Sequence, residues 1–307
     1  MSARLGVLEP AHTWLGILCM LAAMAVLPLM DVAAKSLALQ GMPVLQIVFL
    51  RMIGGTLISA PLVVCNHGAA ALLPRDWQLS FKLGGCILGA TALFFAALEY
   101  LPIAETLAIF FVQPLVVTLL AAFVLRERVG YKRWRALGIG FAATLVIIRP
   151  GVEAFSPASL LALGAGTCLA LYVVLVRHNA PSSPALVTTY LTHFTSTLLA
   201  APAMLILWQA PADGQMLTGA TLAVIGLVGQ FLIVKAYEYG EASLLAPLSY
   251  TEMITSTLAG WWFFREMPDQ ITFFGVSVLI LCALYVARAG AQQKPRPPVA
   301  EPLKEGP

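Results

Sequence analysis

"LEYLPIAETLAIFFVQPLVVTLLAAFVLRER", Leu98 to Arg128, returns further along the chain as "YEYGEASLLAPLSYTEMITSTLAGWWFFREM", Tyr237 to Met267. One constant offset pairs Glu99 with Glu238, Tyr100 with Tyr239, Thr118 with Thr257, Leu119 with Leu258, Arg126 with Arg265 and Glu127 with Glu266. The same offset goes on to pair Leu145 with Leu284 and Arg149 with Arg288. Each copy holds an apolar run of about 20 residues, the length that crosses a hydrocarbon core of about 30 Å. The chain therefore reads as two related halves, and the number of spans in each half decides how the halves are related.

Composition agrees with a chain built for the bilayer. Of the 307 residues 60% are hydrophobic and 11% charged, where a soluble domain carries about 25% charged residues. The mean hydropathy is +0.87. Apolar stretches bounded by charge, Gly or Pro give ten candidate spans, at 14–35, 43–65, 78–98, 103–125, 132–149, 158–177, 185–208, 217–236, 242–264 and 270–288. The first is too long for a signal-peptide core and is expected to remain as a helix. Five spans fall in a first unit, 14–149, and five in a second, 158–288, between an N-terminal segment 1–13 and a Pro-rich tail 289–307 expected to be disordered. Because five is odd, the second unit enters the membrane from the opposite face. The expected fold is an all-α integral membrane bundle of ten transmembrane helices arranged as two inverted five-helix repeats. Secondary transporters use such repeats, with the substrate site near the midplane where the repeats meet.

The eighteen Lys and Arg residues do not form a nucleic-acid surface; they fall between spans and set orientation. With the N-terminus in the cytoplasm, the inner side collects Arg75, Lys82, the basic loop "RERVGYKRWR" from Arg126 to Arg135, Arg177, Lys235 and the basic residues of the tail. The outer side keeps Lys35, Arg149 and Arg265. A multi-pass protein of the cytoplasmic (inner) membrane with both termini inside is expected. Cys19, Cys65, Cys86, Cys168 and Cys282 lie far apart without CxxC spacing and read as apolar packing residues. The sequence has no GxxxxGK[ST] loop, HExxH or GxSxG, so no ATP drive, enzyme chemistry, metal or cofactor is expected.

Depth within the spans selects the candidate site. At about 1.5 Å per residue, Arg51 lies about 12 Å into span 2, near the centre of the core, where a cation is costly and usually functional. His193 on span 7 falls at a similar depth. Gln113 and Glu252, which align in the repeat, sit about mid-depth on spans 4 and 9. Arg51 and Glu252 are expected to face a shared central cavity, with Glu252 offsetting the Arg51 charge; a salt bridge that only fixes packing is the rival reading. Phe111 and Tyr250 lie within a turn of this level and are placed to stack on a planar substrate. Asp31 and Lys35, spaced i and i+4 on span 1, fall nearer the outer boundary and are read as a gate or vestibule pair or as a helix end. Lys235, with Glu238 at the inner end of span 8, receives the same reading. Trp77, Trp208, Trp261 and Trp262 suit an interfacial belt, and Pro28, Pro114 and Pro247 are expected to kink spans 1, 4 and 9.

The two five-span units, the segments "LPIAETLAIFFVQPLVVTLLAAFVLRER" and "EASLLAPLSYTEMITSTLAGWWFFREMPD", and "MDVAAKSLALQGMPVLQIVFLRM" across spans 1 and 2 resemble the EamA-domain branch of the drug/metabolite transporter superfamily over essentially the full chain. In that resemblance Glu127 and Glu266 close the signature of each repeat. It implies a ten-helix bundle with a central cavity, working by alternating access without ATP on amino acids, riboflavin, S-adenosylmethionine, opine-type metallophores or drugs. A cavity holding a cation and a carboxylate suits a zwitterionic metabolite, so the expected activity is export of an amino-acid-like or opine-like compound. Uptake of a planar vitamin such as riboflavin is the second reading; an intramembrane enzyme or scaffold is a remote third. Partners are a small-molecule substrate and the lipid bilayer, with proton coupling open through Glu252 or His193.

Overall fold

Backbone that enters a bilayer finds no water to bond, so its N–H and C=O groups are satisfied within helices. The computed structural model describes residues 10–123, 156–179, 183–239, 245–266 and 269–291, with isolated helical positions between 131 and 146. The N-terminal residues 1–9, Glu127, most of span 5, Arg149 and the tail beyond 291 lie outside the described residues. Every regular element among the described residues is helical: α1 Pro10–Leu39, α2 Val44–His67, α3 Trp77–Leu98, α4 Ile103–Phe110, α5 Gln113–Phe123, α6 Ala158–Asn179, α7 Ala185–Leu207, α8 Asp213–Tyr239, α9 Glu252–Ala259 and α10 Gln270–Ala291. Six of these, α1 to α3 and α6 to α8, are long and apolar enough to cross a membrane.

Spans 4 and 9 are broken helices rather than continuous ones, and proline explains the first break. Pro114 brings no N–H and its ring crowds the carbonyl four residues back, which belongs to Phe110. The chain leaves α4 there, turns through Phe111 and Val112, and resumes as α5 at Gln113. The displaced Phe110 carbonyl points at α6, where a Cβ on Gly166 would lie 2.4 Å from its oxygen; only glycine fits that approach. Span 9 begins as a 3₁₀ turn over Ala246–Thr251 that contains Pro247, continues as α9, and loosens into a π-helical turn over Gly260–Phe264. Arg265 closes it in the left-handed region at φ 59°. Pro28 leaves α1 continuous, and the Met24 carbonyl that it frees accepts the Thr255 hydroxyl of α9 at 2.8 Å.

Packing pairs each helix with a counterpart in the other half. α1 runs along α8, α3 along α6, α2 along α7, and α4 against α9. Small residues permit these close crossings. At α3 and α7, a Cβ on Gly84 would fall 2.2 Å from Thr195 Oγ1, and Ser196 Oγ donates to the Gly84 carbonyl at 2.9 Å. At one end of α2 and α7, fully buried Gln46 donates to the Gln209 carbonyl at 2.7 Å and accepts the Gln209 N–H at 3.0 Å. Trp77, Trp208, Trp261 and Trp262 are exposed at or near helix ends, as a belt at the lipid boundary requires. Among the described cysteines, Cys19, Cys65, Cys86 and Cys168 are free thiols.

Candidate functional site

The helix pairs enclose a cavity of about 110 Å³. Its apolar wall is built from Met20, Met24, Leu27 and Met30 of α1, Ile87, Phe94 and Phe95 of α3, and Leu107, Phe110 and Phe111 around the break in span 4. Its polar wall holds Asp31, Arg51, Thr91, Gln113, Tyr172, Gln230, Ser249 and Glu252, from α1, α2, α3, α5, α6, α8 and span 9. Four of the residues singled out by sequence depth, Arg51, Glu252, Gln113 and Phe111, therefore share one space, and all four are buried.

Arg51 is held as a fork. One terminal nitrogen, Nη1, donates to Thr91 Oγ1, and Nη2 donates to Gln230 Oε1 at 3.4 Å. Gln230 is itself fixed by donating from Nε2 to the Tyr172 hydroxyl at 3.1 Å. Arg51 Nε is buried without a hydrogen-bond partner, and α8 admits it only because residue 226 is glycine: a Cβ there would lie 2.7 Å from Nε. Glu252 faces the same cavity but forms no ion pair with Arg51 among the described contacts. The rival reading, a packing salt bridge between the two, is not what the described contacts show: Arg51 donates instead to the uncharged side chains of Thr91 and Gln230.

Asp31 departs most from its expected place. It is 2% exposed, lines the cavity, and lies within electrostatic reach of both Arg51 and Glu252. The reason is the end of the helix: α1 continues to Leu39, so Asp31 is eight residues from that end, about 12 Å deep, the same level as Arg51. A span ending near residue 35 had set it too close to the boundary. Lys35 does lie near the boundary. Its ammonium donates to Glu266 Oε1 at 2.6 Å and to the Leu101 carbonyl at 3.1 Å, while Glu266 Oε2 accepts the Ile103 N–H at 3.2 Å. This cluster ties α1, the connection into α4, and the end of span 9. Lys35 and Asp31, one turn apart, thus face different partners.

His193 is fully buried but does not line the cavity. Its Nδ1–H donates to the Thr189 carbonyl at 2.9 Å, Nε2 has no partner, and the ring lies against α2, where a Cβ on Gly55 would meet Cδ2 at 2.2 Å. Lys235 pairs with Glu238 at 2.7 Å, and Glu238 also accepts the Ala185 N–H at the start of α7. Neither is part of the cavity wall. Tyr250 sits in the 3₁₀ turn beside Ser249, and its side chain lies outside the described residues. Tyr190 stacks on Phe194 with ring centroids 5.8 Å apart, away from the cavity. Thr91, Tyr172 and Gln230 carry the Arg51 geometry and were not predicted. Gln230 is a lone amide in an apolar span and was the detectable one; Thr91 and Tyr172 give no comparable signal.

Helices that pair across two halves around a largely apolar cavity carrying a few buried polar side chains define a polytopic membrane protein with the build of a solute carrier. The chain belongs to the EamA-like transporter family, which matches residues 14–149 and 156–288, within the drug/metabolite transporter superfamily. A riboflavin transporter of Vibrio cholerae is 32% identical over 62% of this chain and 65% of its own length, so the chain spans just under two thirds of that relative. An S-adenosylmethionine uptake transporter of Rickettsia prowazekii is 23% identical over 78% of this chain and 82% of its own. A pseudopaline exporter of Pseudomonas aeruginosa is 25% identical over 80% and 87%. A protein crystal structure superposes with a TM-score of 0.68 at 20% identity, covering 93% of this chain and 99% of that one; this likeness concerns the fold alone.

Proposed function

We propose that the chain is a secondary transporter that moves a small zwitterionic metabolite across the cytoplasmic membrane by alternating access, exporting an amino-acid-like or opine-like compound. The observation that carries this reading is the juxtaposition of Arg51, Asp31 and Glu252 in the lining of one cavity, with no ion pair closing Arg51 off among the described contacts. A packing salt bridge would join them; a binding site keeps them open. The ten-span inverted repeat is supported by the helix pairing, because exchanging the two halves turns α1 against α8 into α6 against α3 and leaves α2–α7 and α4–α9 in place. Basic residues then put both termini inside, and put the Lys35–Glu266 cluster at the outer ends, where it acts as an outer gate. Lys235 marks the inner end of span 8. Residues 14–149 and 158–288 form the two repeats.

A second reading, uptake of a planar vitamin, is favoured by Phe94, Phe95, Phe110 and Phe111 on the apolar wall and by the riboflavin relative. Untargeted metabolite profiling of cells and medium, comparing wild type, Glu252→Gln and empty vector, tests both. A compound displaced by wild type alone gives the substrate and its direction. Equal displacement by Glu252→Gln removes Glu252 from the site, and competition by flavins but not by amino acids selects the second reading.

A further inference from the structure

A guanidinium offers five N–H donors in one plane. In Arg51 one is taken by Thr91 of α3 and one by Gln230 of α8, which leaves three. Of these, Nε–H is buried without a partner in the gap kept open by Gly226. The group is anchored from opposite helices through its two terminal nitrogens, so its plane is fixed. Burial makes an unmet donor on a charged group costly, and among the described contacts no hydrogen bond meets Nε–H, while Asp31 and Glu252 line the same cavity without forming an ion pair with Arg51. A planar fork of this kind matches a carboxylate. The two carboxylates share the cavity with Arg51 and, among the described contacts, neither is joined to a cation by an ion pair.

We infer that Thr91 and Gln230, the latter set by Tyr172, are positioning residues for specificity: they aim Arg51 at the carboxylate of an α-amino acid head group whose ammonium lies between Asp31 and Glu252. The inference rests on the transporter reading and adds the head-group chemistry and the three residues that enforce it. The remainder of such a ligand lies along the Met and Phe wall, where thioether and ring surfaces accept apolar or heteroaromatic groups.

The test uses purified full-length protein and two ligand pairs that differ only by the carboxylate: S-adenosyl-L-methionine with its decarboxylated form, and L-methionine with 3-(methylthio)propylamine. Affinities are measured by calorimetry. Wild type is expected to prefer the carboxylate-bearing member of at least one pair by about tenfold or more, the order of a charge-assisted bidentate contact. Thr91→Val and Gln230→Leu bring that ratio towards one, Tyr172→Phe lowers it less, and Thr91→Ser keeps it. The ratio is taken within one protein, so a smaller folded fraction does not change it. A ratio near one in wild type, binding of neither pair, or an unchanged ratio in both Thr91→Val and Gln230→Leu overturns the inference. Flux of the same compounds in proteoliposomes is read separately: flux with an unchanged ratio defeats the positioning role and leaves the transporter, whereas discrimination without flux defeats the transporter.

Discussion

Replacing Glu266 with Gln isolates the charge in the Lys35 cluster while keeping its shape. Lys35 is 7% and Glu266 26% exposed at the side chain, their atoms are 2.6 Å apart, and the carboxylate also caps the first N–H of α4 at Ile103. Stripping one partner from a fully buried pair costs about 3–5 kcal/mol. With a quarter of the Glu266 side chain exposed and an amide still able to accept from Ile103, the loss should be about 2–3 kcal/mol. If this cluster holds the outer end shut, that energy shifts the closed-to-open ratio by about 30- to 150-fold, so an open fraction of about 1% rises to roughly 25–60%. The assay is labelling from outside the cell by a membrane-impermeant maleimide of a single cysteine at Phe94, which lines the cavity, after the five native cysteines are replaced. Glu266→Gln should accelerate labelling, and the exchange Lys35→Glu with Glu266→Lys, which keeps the charge pair but loses the bonds to Ile103 and Leu101, should slow it again only in part. A lower melting temperature with unchanged labelling would refute the gate and leave the pair as packing.

Gly55→Ala sets a methyl 2.2 Å from His193 Cδ2 and should destabilise the protein by about 1–3 kcal/mol, read as a drop in melting temperature in detergent; His193→Ala in the same protein should recover most of it. Thr255→Val removes the donor to the Met24 carbonyl freed by Pro28 and should cost about 1–3 kcal/mol, with recovery by Thr255→Ser. Glu252→Gln should abolish any response of transport to an imposed pH gradient in proteoliposomes, whereas His193→Gln, altered outside the cavity wall, should keep it. A response lost in His193→Gln and kept in Glu252→Gln would place the coupling group at the α2–α7 crossing instead.

The helical class and three of the cavity residues, Arg51, Gln113 and Glu252, were legible because each rests on apolar length or on a charged or amide side chain inside it. Depth counting failed where a helix end was misplaced. Asp31 was counted towards residue 35, but α1 runs to Leu39, and four residues of helix move a side chain by about 6 Å. Gln230, a lone amide within span 8, did not enter the depth count, although it lies nine residues from the end of α8 at Tyr239. His193 shows the opposite limit. Depth carries no azimuth, and the His193 side chain turns towards Gly55 instead of the cavity. The exchange of an Arg51–Glu252 pair for hydrogen bonds to Thr91 and Gln230 was beyond reach, since threonines are common in apolar spans and give no signal of their partners.

The two broken spans explain why polar groups gather at one level. Gln113 and Glu252 occupy equivalent positions in the repeat, and each is the first residue of a helix that restarts after a break, α5 and α9. Backbone at such a break cannot be left to lipid; the first turn of α5 is bonded back to Val112 by the N–H groups of Leu115 and Val116, and both restarts set their first side chains on the cavity wall. Pro114 interrupts span 4 by removing one helical bond and so sets where α5 restarts on the cavity wall. Divergence between the copies then assigns charge. The second half supplies a carboxylate at its helix start, where it complements the dipole, while the first supplies a neutral amide and leaves that end without a negative charge of its own. Unlike residues at one equivalent position of a duplicated scaffold thus give the cavity wall an amide from one half and a carboxylate from the other, an asymmetry that suits the proposed zwitterionic substrate.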